Sequence, residues 1–384
     1  GTVIGKAGGF VSANVYSSVS GTVQDIAPLR MVNGAMATAV AIKTDGAQTV
    51  DPACVPPVVT DKASLLAAVQ ACGLVGVGGA GFPTHVKLAA NTIDTLLINA
   101  AECEPYLTTD CREMLECSDT IISGIAAVMK YCEIPHCIIG IERNKPECID
   151  LLCSLTREMK GVEVKGLPMR YPQGAEKTLV ETCTGREVPQ FGPSGKPGLP
   201  ADVGCCVFNA ATTAAIYDAV ALGQPVYQRV ITITGSAVKN PVNLLAPVGT
   251  PFSHLIEEAG GFNGTPARVI SGGPMMGFAQ YDMSVTMGKA SNCVLCLSKE
   301  DMPAVSANPT CIRCARCVNV CPMHLTPLFM NMFAKARRWS EVEEYRIMDC
   351  MECGSCQYIC PARIPLVQQF RTAKFAIRQQ AAKK

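Results

Sequence analysis

The sequence predicts a multidomain α/β protein of 384 residues, and three observations carry that prediction. Strand-like and helix-like segments alternate between residues 61 and 222, which implies a parallel sheet covered on both faces. A compact β-rich segment with one helix follows from residue 229. Eight cysteines near the C-terminus fall into two runs of four, each followed by a proline. A chain of this length can form two to four domains, each with its own core.

The first fifty residues are typical of a small β unit, because Val, Tyr and Thr alternate with turns of Gly and Ser. The sequence begins at Gly1 and runs directly into these segments, so we expect it to lack an N-terminal segment. The stretch resembles half of a barrel-sandwich hybrid, the biotinyl/lipoyl-like fold. Ser17, Ser18 and Ser20 stand at the hairpin tip instead of a lysine that could carry a prosthetic group. We therefore expect a structural or docking role.

Strands and helices then alternate after a proline-containing linker around residues 52–57. The periodicity predicts a helix from residue 61, a glycine loop, strand 95–100, helix 117–132, strand 136–142, helix 146–159, strand 162–167, helix 176–183 and helix 208–222. Parallel sheets of this kind bind ligands beyond the carboxyl ends of their strands.

The remaining segments differ in character. RVITITGS, a helix over 251–259 and ARVISGGPMMG predict a β-rich unit with one helix. Cys293 and Cys296 form an isolated C-x2-C, for which a buried structural pair is favoured over a metal or redox role. Helical periodicity over 328–345 predicts one packing side, made of Phe329, Met332, Phe333, Ala336 and Trp339.

The two cysteine runs follow the C-x2-C-x2-C-x3-C-P pattern of bacterial two-cluster ferredoxins. In that pattern the fourth cysteine of each run ligates the other cluster. We assign cluster A to Cys311, Cys314, Cys317 and Cys360, and cluster B to Cys350, Cys353, Cys356 and Cys321. A zinc ribbon or disulfides would leave the third cysteine and the proline of each run unexplained. The pattern predicts two [4Fe–4S] clusters.

Composition narrows the class of protein. Fourteen of the 22 cysteines lie outside the two runs, many in apolar segments, so we expect most of them to be core residues in a reducing cytosol, as in an anaerobe. No apolar run is long enough to span a bilayer. Residues 301–384 hold twelve Lys/Arg and six Asp/Glu. This basic excess compensates the negative charge of two clusters and, without interleaved aromatics, does not indicate nucleic-acid binding.

A glycine loop, GLVGVGGAGFPTHVK, precedes a helix that is predicted to begin near Thr84. Backbone amides of such a loop can approach a phosphate, although the signal alone is weak and a structural turn explains it equally well. Three further segments lie where strands give way to loops or helices, namely residues 99–105, 171–176 and 209–212. All of these could converge on one crevice with donors that suit a flavin and its ribityl phosphate.

The chain resembles the RnfC family, the C subunits of Rnf ferredoxin:NAD oxidoreductases, and its central domain is similar to the FMN-carrying subunit of respiratory complex I. The matching segments are GVGGAGFPTHVK, INAAECEPY, YPQGAEKTL, the segment ending ISGGPMMG, CIRCARCVNVCPM and CMECGSCQYICPARIPL. The resemblance implies four domains: a partial barrel-sandwich hybrid (1–50), a Rossmann-like FMN/NADH domain (51–225), an SLBB β-grasp domain (226–287) and a ferredoxin-like helical domain with two [4Fe–4S] clusters (288–384).

The resemblance also implies roles for individual residues. The FMN phosphate would lie on a loop with Lys87 as its charge partner; the loop glycines are Gly76, Gly78, Gly79 and Gly81. The flavin and ribityl contacts would be Asn99, Glu102 and Glu104, and the phosphate end would be closed by Asn209 and Thr212. Gly174 and Glu176 would lie on the nicotinamide side, with Glu176 as the candidate catalytic residue. Val77, Ala101 and Ala175 replace an arginine, an acidic residue and a glutamate of the complex I family, which leaves room for altered dinucleotide binding.

By this resemblance the protein exchanges hydride between NAD(H) and FMN and passes single electrons through two [4Fe–4S] clusters. It would sit peripherally on the cytoplasmic face of the cell membrane, docked on other subunits of an ion-translocating Rnf-type complex and linked indirectly to ferredoxin. Two alternatives stay open. One is a flavin and iron–sulfur protein of the cobalamin-reductase or proline-reductase type. The other is a wiring module without its own NAD site.

Overall fold

The computed structural model describes residues 1–90, 92–192, 197–302, 304 and 308–382. The last two residues of the predicted C-terminal domain therefore lie outside the described residues. The first group of elements, in residues 1–47, consists of two small antiparallel sheets. One pairs β1 (Val3–Gly5) with β2 (Val15–Tyr16), and the other pairs β3 (Gly21–Arg30) with β4 (Met36–Thr44). No residue of β3 or β4 is fully buried, so this unit has little core of its own.

A four-stranded parallel sheet in the order β7-β6-β5-β8 forms the centre of the second group. Its strands are β5 (Thr95–Ala100), β6 (His136–Glu142), β7 (Val162–Leu167) and β8 (Cys205–Asn209). The helices of this group are α1 (Lys62–Ala71), α2 (Thr84–Leu88), α3 (Thr109–Glu116), α4 (Ser118–Tyr131), α5 (Pro146–Thr156), α6 (Glu176–Thr184) and α7 (Ala210–Leu222).

Both faces of this sheet are covered, as the alternation of elements predicts. Leu96 and Ile98 pack in one core with residues of α4 and α7, whereas Leu97 faces the other way and packs with Leu179 and Val180 of α6. Successive side chains of a strand point to opposite faces, so a strand buried on both sides needs apolar residues at every position. The run TLLINA satisfies that requirement.

Two elements of this group differ from the sequence-based expectation. Residue 208 lies in β8, where we predicted the start of a helix, because the apolar run CCVFN pairs with β5. The helix begins only at Ala210, since the Asn209 side chain accepts a hydrogen bond from the Ala211 amide and caps it. Helix α3 was not predicted, because its sequence TDCREMLE is short and mainly polar.

The third group is a five-stranded sheet in the order β10-β9-β13-β11-β12, with one helix. Its elements are β9 (Gln228–Thr234), β10 (Val242–Pro247), α8 (Phe252–Glu258), β11 (Arg268–Ser271), β12 (Phe278–Gln280) and β13 (Cys293–Leu297). The predicted domain boundary at residue 288 does not fit this topology. Strand β13 is the middle strand and pairs in parallel with β9, so the unit extends to at least Leu297.

Cys293 and Cys296 lie in this middle strand and are both fully buried. They are not a pair, because three residues apart on a strand they point to opposite faces. Cys296 packs in the core that contains Phe252, and Cys293 packs on the other face with Ile270 and Leu295. The predicted burial is confirmed, and the predicted pairing is wrong.

The C-terminal group is helical: α9 (Arg316–Asn319), α10 (Pro327–Lys335), α11 (Trp339–Glu344), α12 (Ser355–Tyr358) and α13 (Leu366–Ala382). Its core contains Met330, Val342, Ile347 and Phe370. Within the described residues, no helix is both long and apolar enough to cross a membrane.

The segment 328–345 forms two helices, and its predicted packing side is partly wrong. The chain turns at Arg337, whose φ of 55° is left-handed. Phe329 and Met332 are 40% and 46% exposed, whereas Met330 of the same helix is buried. Phe329 and Phe333 instead stack on Tyr345, with ring centroids 5.4 Å apart in each pair.

Among the scattered cysteines, Cys117 and Cys153 are exposed, contrary to the expectation of core positions.

Candidate functional site

The eight cysteines of the two runs line two cavities in the C-terminal group. One cavity is lined by Cys311, Cys314, Cys317 and Cys360. The other is lined by Cys321, Cys350, Cys353 and Cys356. The fourth cysteine of each run thus lies with the first three of the other run, which is the arrangement of two-cluster ferredoxins.

The spacing of these sulfurs favours cubanes over zinc. In the part of the chain that the structure describes, no three of them lie within 4.8 Å of one another. Four sulfurs around a single tetrahedral zinc ion would be about 3.8 Å apart, given Zn–S bonds of about 2.3 Å. The two cavities, each lined by four cysteines and apolar side chains such as Leu366 and Phe370, suit larger groups.

A buried cation lies beside the second cavity. Lys374 is 5% exposed, and its Nζ donates to the Cys350 carbonyl oxygen at 2.6 Å and to Glu352 at 2.8 Å. Arg371 donates to the same carboxylate at 2.9 Å. Burial alone would raise the pKa of Glu352, but these two cations outweigh it and lower the pKa. The three side chains carry a net positive charge next to the site of an anionic cluster.

The second candidate site is the crevice at the carboxyl ends of β5 and β8, where the predicted residues meet. Asn99 and Asn209 are paired in register, and Asn209 Nδ2 donates to the Asn99 carbonyl oxygen at 3.4 Å. Asn99 Nδ2 donates to the Gly174 carbonyl oxygen at 2.8 Å. The Val77 amide donates to Thr212 Oγ1 at 3.1 Å. Segments far apart in the sequence therefore surround one crevice.

The glycine loop borders this crevice and presents open backbone. Gly79 is exposed, and a Cβ added there would meet no atom within 4 Å. Gly78 has a φ of 76°, which glycine adopts without strain, and its α-carbon faces the Asn209 side chain. Lys87 forms an ion pair with Glu176 and also donates to the Val207 carbonyl oxygen at 3.2 Å. The proposed phosphate partner and the proposed nicotinamide residue are thus in direct contact.

The carboxylate of Glu102 is engaged by the protein at the start of α3. It accepts hydrogen bonds from the amides of Asp110 at 2.7 Å and Cys111 at 3.3 Å, and the buried Lys145 Nζ lies 3.9 Å away. Burial raises the pKa of Glu102, the neighbouring Asp110 charge raises it further, and Lys145 opposes both. The structure places Glu102 where it holds α3 against the crevice.

The carboxylate of Glu104 connects three domains. It accepts hydrogen bonds from the amides of Met275 at 3.2 Å and Met276 at 2.7 Å, in the tight turn that precedes β12. The Tyr171 hydroxyl lies 3.4 Å from it and donates to the Cys353 carbonyl oxygen at 2.6 Å. Gly273 is required in this turn, because a Cβ there would collide with the Glu104 carboxylate.

Sequence reasoning missed the part that Tyr171 plays in this junction. The residue stands in the segment YPQGAE that the sequence singled out, but its partner Cys353 is 182 positions away. No periodicity or spacing could have indicated that contact. Burial raises the pKa of Tyr171, so the hydroxyl keeps its proton and donates.

Comparison with known protein families gives four matches along the chain. Residues 1–47 match the RnfC barrel sandwich hybrid domain, and residues 69–218 match the Nuo51 FMN-binding domain. Residues 230–279 match the SLBB domain, and residues 310–364 match a 4Fe-4S dicluster domain. Together with the parallel sheet, these matches confirm the predicted fold class.

Several curated relatives match nearly the whole chain. The C subunit of the proton-translocating ferredoxin:NAD(+) oxidoreductase complex of Clostridium ljungdahlii is 44% identical, over 97% of this chain and 82% of the relative. The C subunit of the Na(+)-translocating complex of Acetobacterium woodii is 41% identical, over 100% of this chain and 86% of the relative. The C subunit of the ion-translocating oxidoreductase complex of Pseudomonas aeruginosa is 40% identical, and the match spans 50% of its length.

Among solved structures, an NAD+-reducing [NiFe]-hydrogenase in the H2-reduced state has a similar fold, with a TM-score of 0.50 and 19% sequence identity. The match covers 82% of this chain and 54% of that chain. At this identity the likeness concerns the fold alone.

Proposed function

The chain belongs to the family of C subunits of ion-translocating ferredoxin:NAD+ oxidoreductase complexes, and from this we propose that it exchanges hydride between NAD(H) and FMN and passes single electrons through two [4Fe–4S] clusters. What supports the proposal is the combination, in one chain, of a match to an FMN-binding domain with two cavities that are each lined by four cysteines. A bound flavin supplies the conversion between a two-electron hydride donor and one-electron clusters. The chain's own residues bind and position these groups.

In this proposal the loop amides around Gly79 and the Lys87 ammonium hold the FMN phosphate. Oriented amides and a cation beside them favour a phosphate group. Asn99 and Asn209, already hydrogen-bonded to backbone around the crevice, orient the flavin and ribityl groups, and Thr212 fixes the loop through the Val77 amide. Glu102 and Glu104 support the crevice walls through α3 and the turn before β12.

Cluster B is the proposed first acceptor of electrons from the flavin. The cavity that would hold it includes Cys353, whose carbonyl oxygen is hydrogen-bonded to Tyr171 at the edge of the crevice. Cluster A lies in the neighbouring cavity and is the next group along the path. Cys321 and Cys360 each belong to one cysteine run and line the other run's cavity, so they join the two cluster sites covalently through the chain.

The proposed setting is a membrane-associated complex. The relatives are named as subunits of ion-translocating complexes, and the described part of this chain holds no helix able to cross a membrane. We place the protein peripherally on the cytoplasmic face, docked on other subunits that connect it to ferredoxin.

The FMN site is tested by replacing Gly79 with valine. A Cβ at this position meets no protein atom within 4 Å, so the fold should tolerate the change, but the side chain would fill the space that a phosphate needs. We expect the anaerobically purified Gly79→Val protein to keep its iron and lose most of its FMN, measured by released flavin fluorescence.

Ala126→Val is the control, because Ala126 is an exposed residue of α4 in the same domain and is not part of the glycine loop. It should bind FMN like the wild type. Full flavin content in Gly79→Val would rule out this phosphate site, and a wild-type protein with eight irons and no flavin would favour the wiring module.

The proposed role of Glu176, on the nicotinamide side of the flavin, is tested by Glu176→Gln. This substitution removes the carboxylate charge and keeps the shape of the side chain. Its ion pair with Lys87 is partly exposed, so the change should cost less than about 1 kcal/mol of stability. We expect FMN and clusters to be retained and the reduction of flavin by NADH to slow in stopped-flow absorbance. Glu181→Gln, on the exposed side of the same helix, should not slow it. Equal rates of flavin reduction in the wild type, Glu176→Gln and Glu181→Gln would mean that Glu176 only stabilises the start of α6 through the helix dipole.

A further inference from the structure

A third group of metal-ligand atoms lies outside the two cluster cavities. The sulfurs of Cys111 and Cys148 and a carboxylate oxygen of Glu147 all lie within 4.8 Å of one another. The two sulfurs are 3.6 Å apart, and Cys111 Sγ lies 3.9 Å from Glu147 Oε1. Both cysteines are free thiols, and the S–S separation is far beyond the disulfide bond length of about 2.05 Å.

These distances match the edges of a zinc coordination tetrahedron. With Zn–S bonds of about 2.3 Å and Zn–O bonds of about 2.1 Å, two bound sulfurs are about 3.8 Å apart and a sulfur and an oxygen about 3.6 Å apart. The Cys111–Cys148 and Cys111–Glu147 separations differ from these values by only a few tenths of an ångström, and the Cys148–Glu147 separation is at most 4.8 Å. A metal ion could therefore bind with small side-chain movements.

Local structure holds the three ligands in place. Cys111 is the third residue of α3, and Glu147 and Cys148 are the second and third residues of α5. Both helices point their amino ends at the group, and a helix amino end stabilises anionic ligands such as thiolates. Lys145, the residue before α5, is buried and lies between Glu102 and Glu142. Its charge is shared with these two carboxylates, and burial raises the pKa of both thiols, so the bound cation itself would have to favour the thiolate forms.

We propose that Cys111, Cys148 and Glu147 bind one zinc ion, or a similar thiophilic divalent cation, at a site separate from the iron–sulfur clusters. Two thiolates with one carboxylate form a ligand set that selects zinc over magnesium or calcium. Zinc takes four ligands, and because Glu147 is exposed, water can occupy the fourth position. Each thiol releases its proton to solvent when the metal binds.

Such a site would fix the first turn of α3 to the first turn of α5. The amide of Cys111 donates to Glu102 at 3.3 Å, so the metal would also stabilise the position of Glu102 beside the crevice. The site therefore supports the crevice without taking part in electron transfer.

The test uses the anaerobically purified protein with its flavin and clusters in place. After equilibration with zinc and removal of free metal, we expect one zinc per chain by plasma mass spectrometry. X-ray absorption at the zinc edge should show two sulfur ligands at about 2.3 Å and oxygen ligands at about 2.0–2.2 Å. Spectra with four sulfurs would mean that zinc occupies a cluster site, and would overturn the proposal.

Variants separate this site from the clusters. Cys148→Ser and Cys111→Ser should lose the zinc and keep their iron and flavin. Glu147→Gln, an exposed substitution that leaves the core intact, should weaken zinc binding by roughly tenfold or more, the loss that even an outer-sphere partner causes. Cys153→Ser is the matched control, because Cys153 is an exposed cysteine of the same helix, and it should keep the zinc. Unchanged zinc content in Glu147→Gln and Cys148→Ser, or no stoichiometric zinc in the wild type, would overturn the proposal.

Discussion

Cys360 shows how a single residue can belong to a site that is remote from it in sequence. It ends the second cysteine run, yet it lines the cavity of Cys311, Cys314 and Cys317. Pro361, which follows the run, is also part of that cavity wall. Sequence proximity alone would assign Cys360 to its three neighbours in the second run.

Replacing Cys360 with alanine should remove cluster A and leave cluster B. The substitution deletes one of the four thiolates around the first cavity while the four around the second remain. We expect the iron content to fall from about eight to about four per chain, with the reduced protein showing the EPR signal of one cluster. Cys356→Ala is the counterpart and should remove cluster B. Loss of cluster B in Cys360→Ala would contradict the crossed assignment.

At the scale of elements, α3 is tied to its neighbours by buried polar contacts. Its first amides bond to Glu102, and its Glu113 forms an ion pair with Arg229 of β9 at 3.3 Å. Both members of this pair are less than a tenth exposed. Burial raises the pKa of Glu113 to about 7, although the Arg229 charge opposes the shift. The pair links the parallel-sheet domain to the β-grasp sheet.

Arg229→Met should destabilise the protein by about 1–3 kcal/mol, because the buried Glu113 loses its hydrogen-bond donor and counter-charge and must take up a proton instead. The control is Arg112→Met, which breaks the exposed pair of Arg112 and Glu116 on the same helix. That change should cost less than about 1 kcal/mol. The stabilities of the two variants are compared by thermal unfolding of the holo-protein at one scan rate.

The double variant Arg229→Met with Glu113→Gln should recover part of the lost stability, since the neutral amide needs neither a counter-charge nor an added proton. Equal destabilisation by Arg229→Met and Arg112→Met would show that the Glu113 pair does not join the domains.

At the scale of the whole molecule, Tyr171 joins the parallel-sheet domain to the cluster domain. Its hydroxyl donates to the Cys353 carbonyl oxygen and lies next to Glu104, which in turn binds the turn before β12. Arg371 of α13 adds a second link, because it donates to the Met276 carbonyl oxygen at 3.0 Å and lies over the Phe278 ring. These contacts hold the proposed cluster B against the crevice.

Tyr171→Phe should slow electron transfer from flavin to clusters while leaving the reduction of flavin by NADH unchanged. Loss of one hydrogen bond should cost about 1 kcal/mol of stability and loosen the cluster loop from the crevice. Stopped-flow absorbance separates the two steps by the flavin and cluster bands. Tyr358→Phe is the control, since Tyr358 is 69% exposed in the cluster domain. Equal cluster-reduction rates in both variants would argue against this junction as an electron path.

Much of this protein follows from local sequence. Periodicity placed the strands Thr95–Ala100, His136–Glu142 and Val162–Leu167 with their observed bounds. The first two are largely apolar runs, and the third alternates apolar and charged residues. The two cysteine runs determined the cluster motif by spacing alone, and the crossed arrangement agrees with the two cavities.

Only the tertiary structure decided the rest, because the deciding contacts join residues that no local pattern relates. Strand β13 completes a sheet whose other strands precede it by up to 65 residues. In that sheet Cys293 pairs with Thr232 of β9, and Val294 pairs with Ser271 of β11. Glu104 and Tyr171 acquire their partners only when three domains meet. The sequence determined which groups the chain can bind, and the packing of the domains decided which side chains surround them.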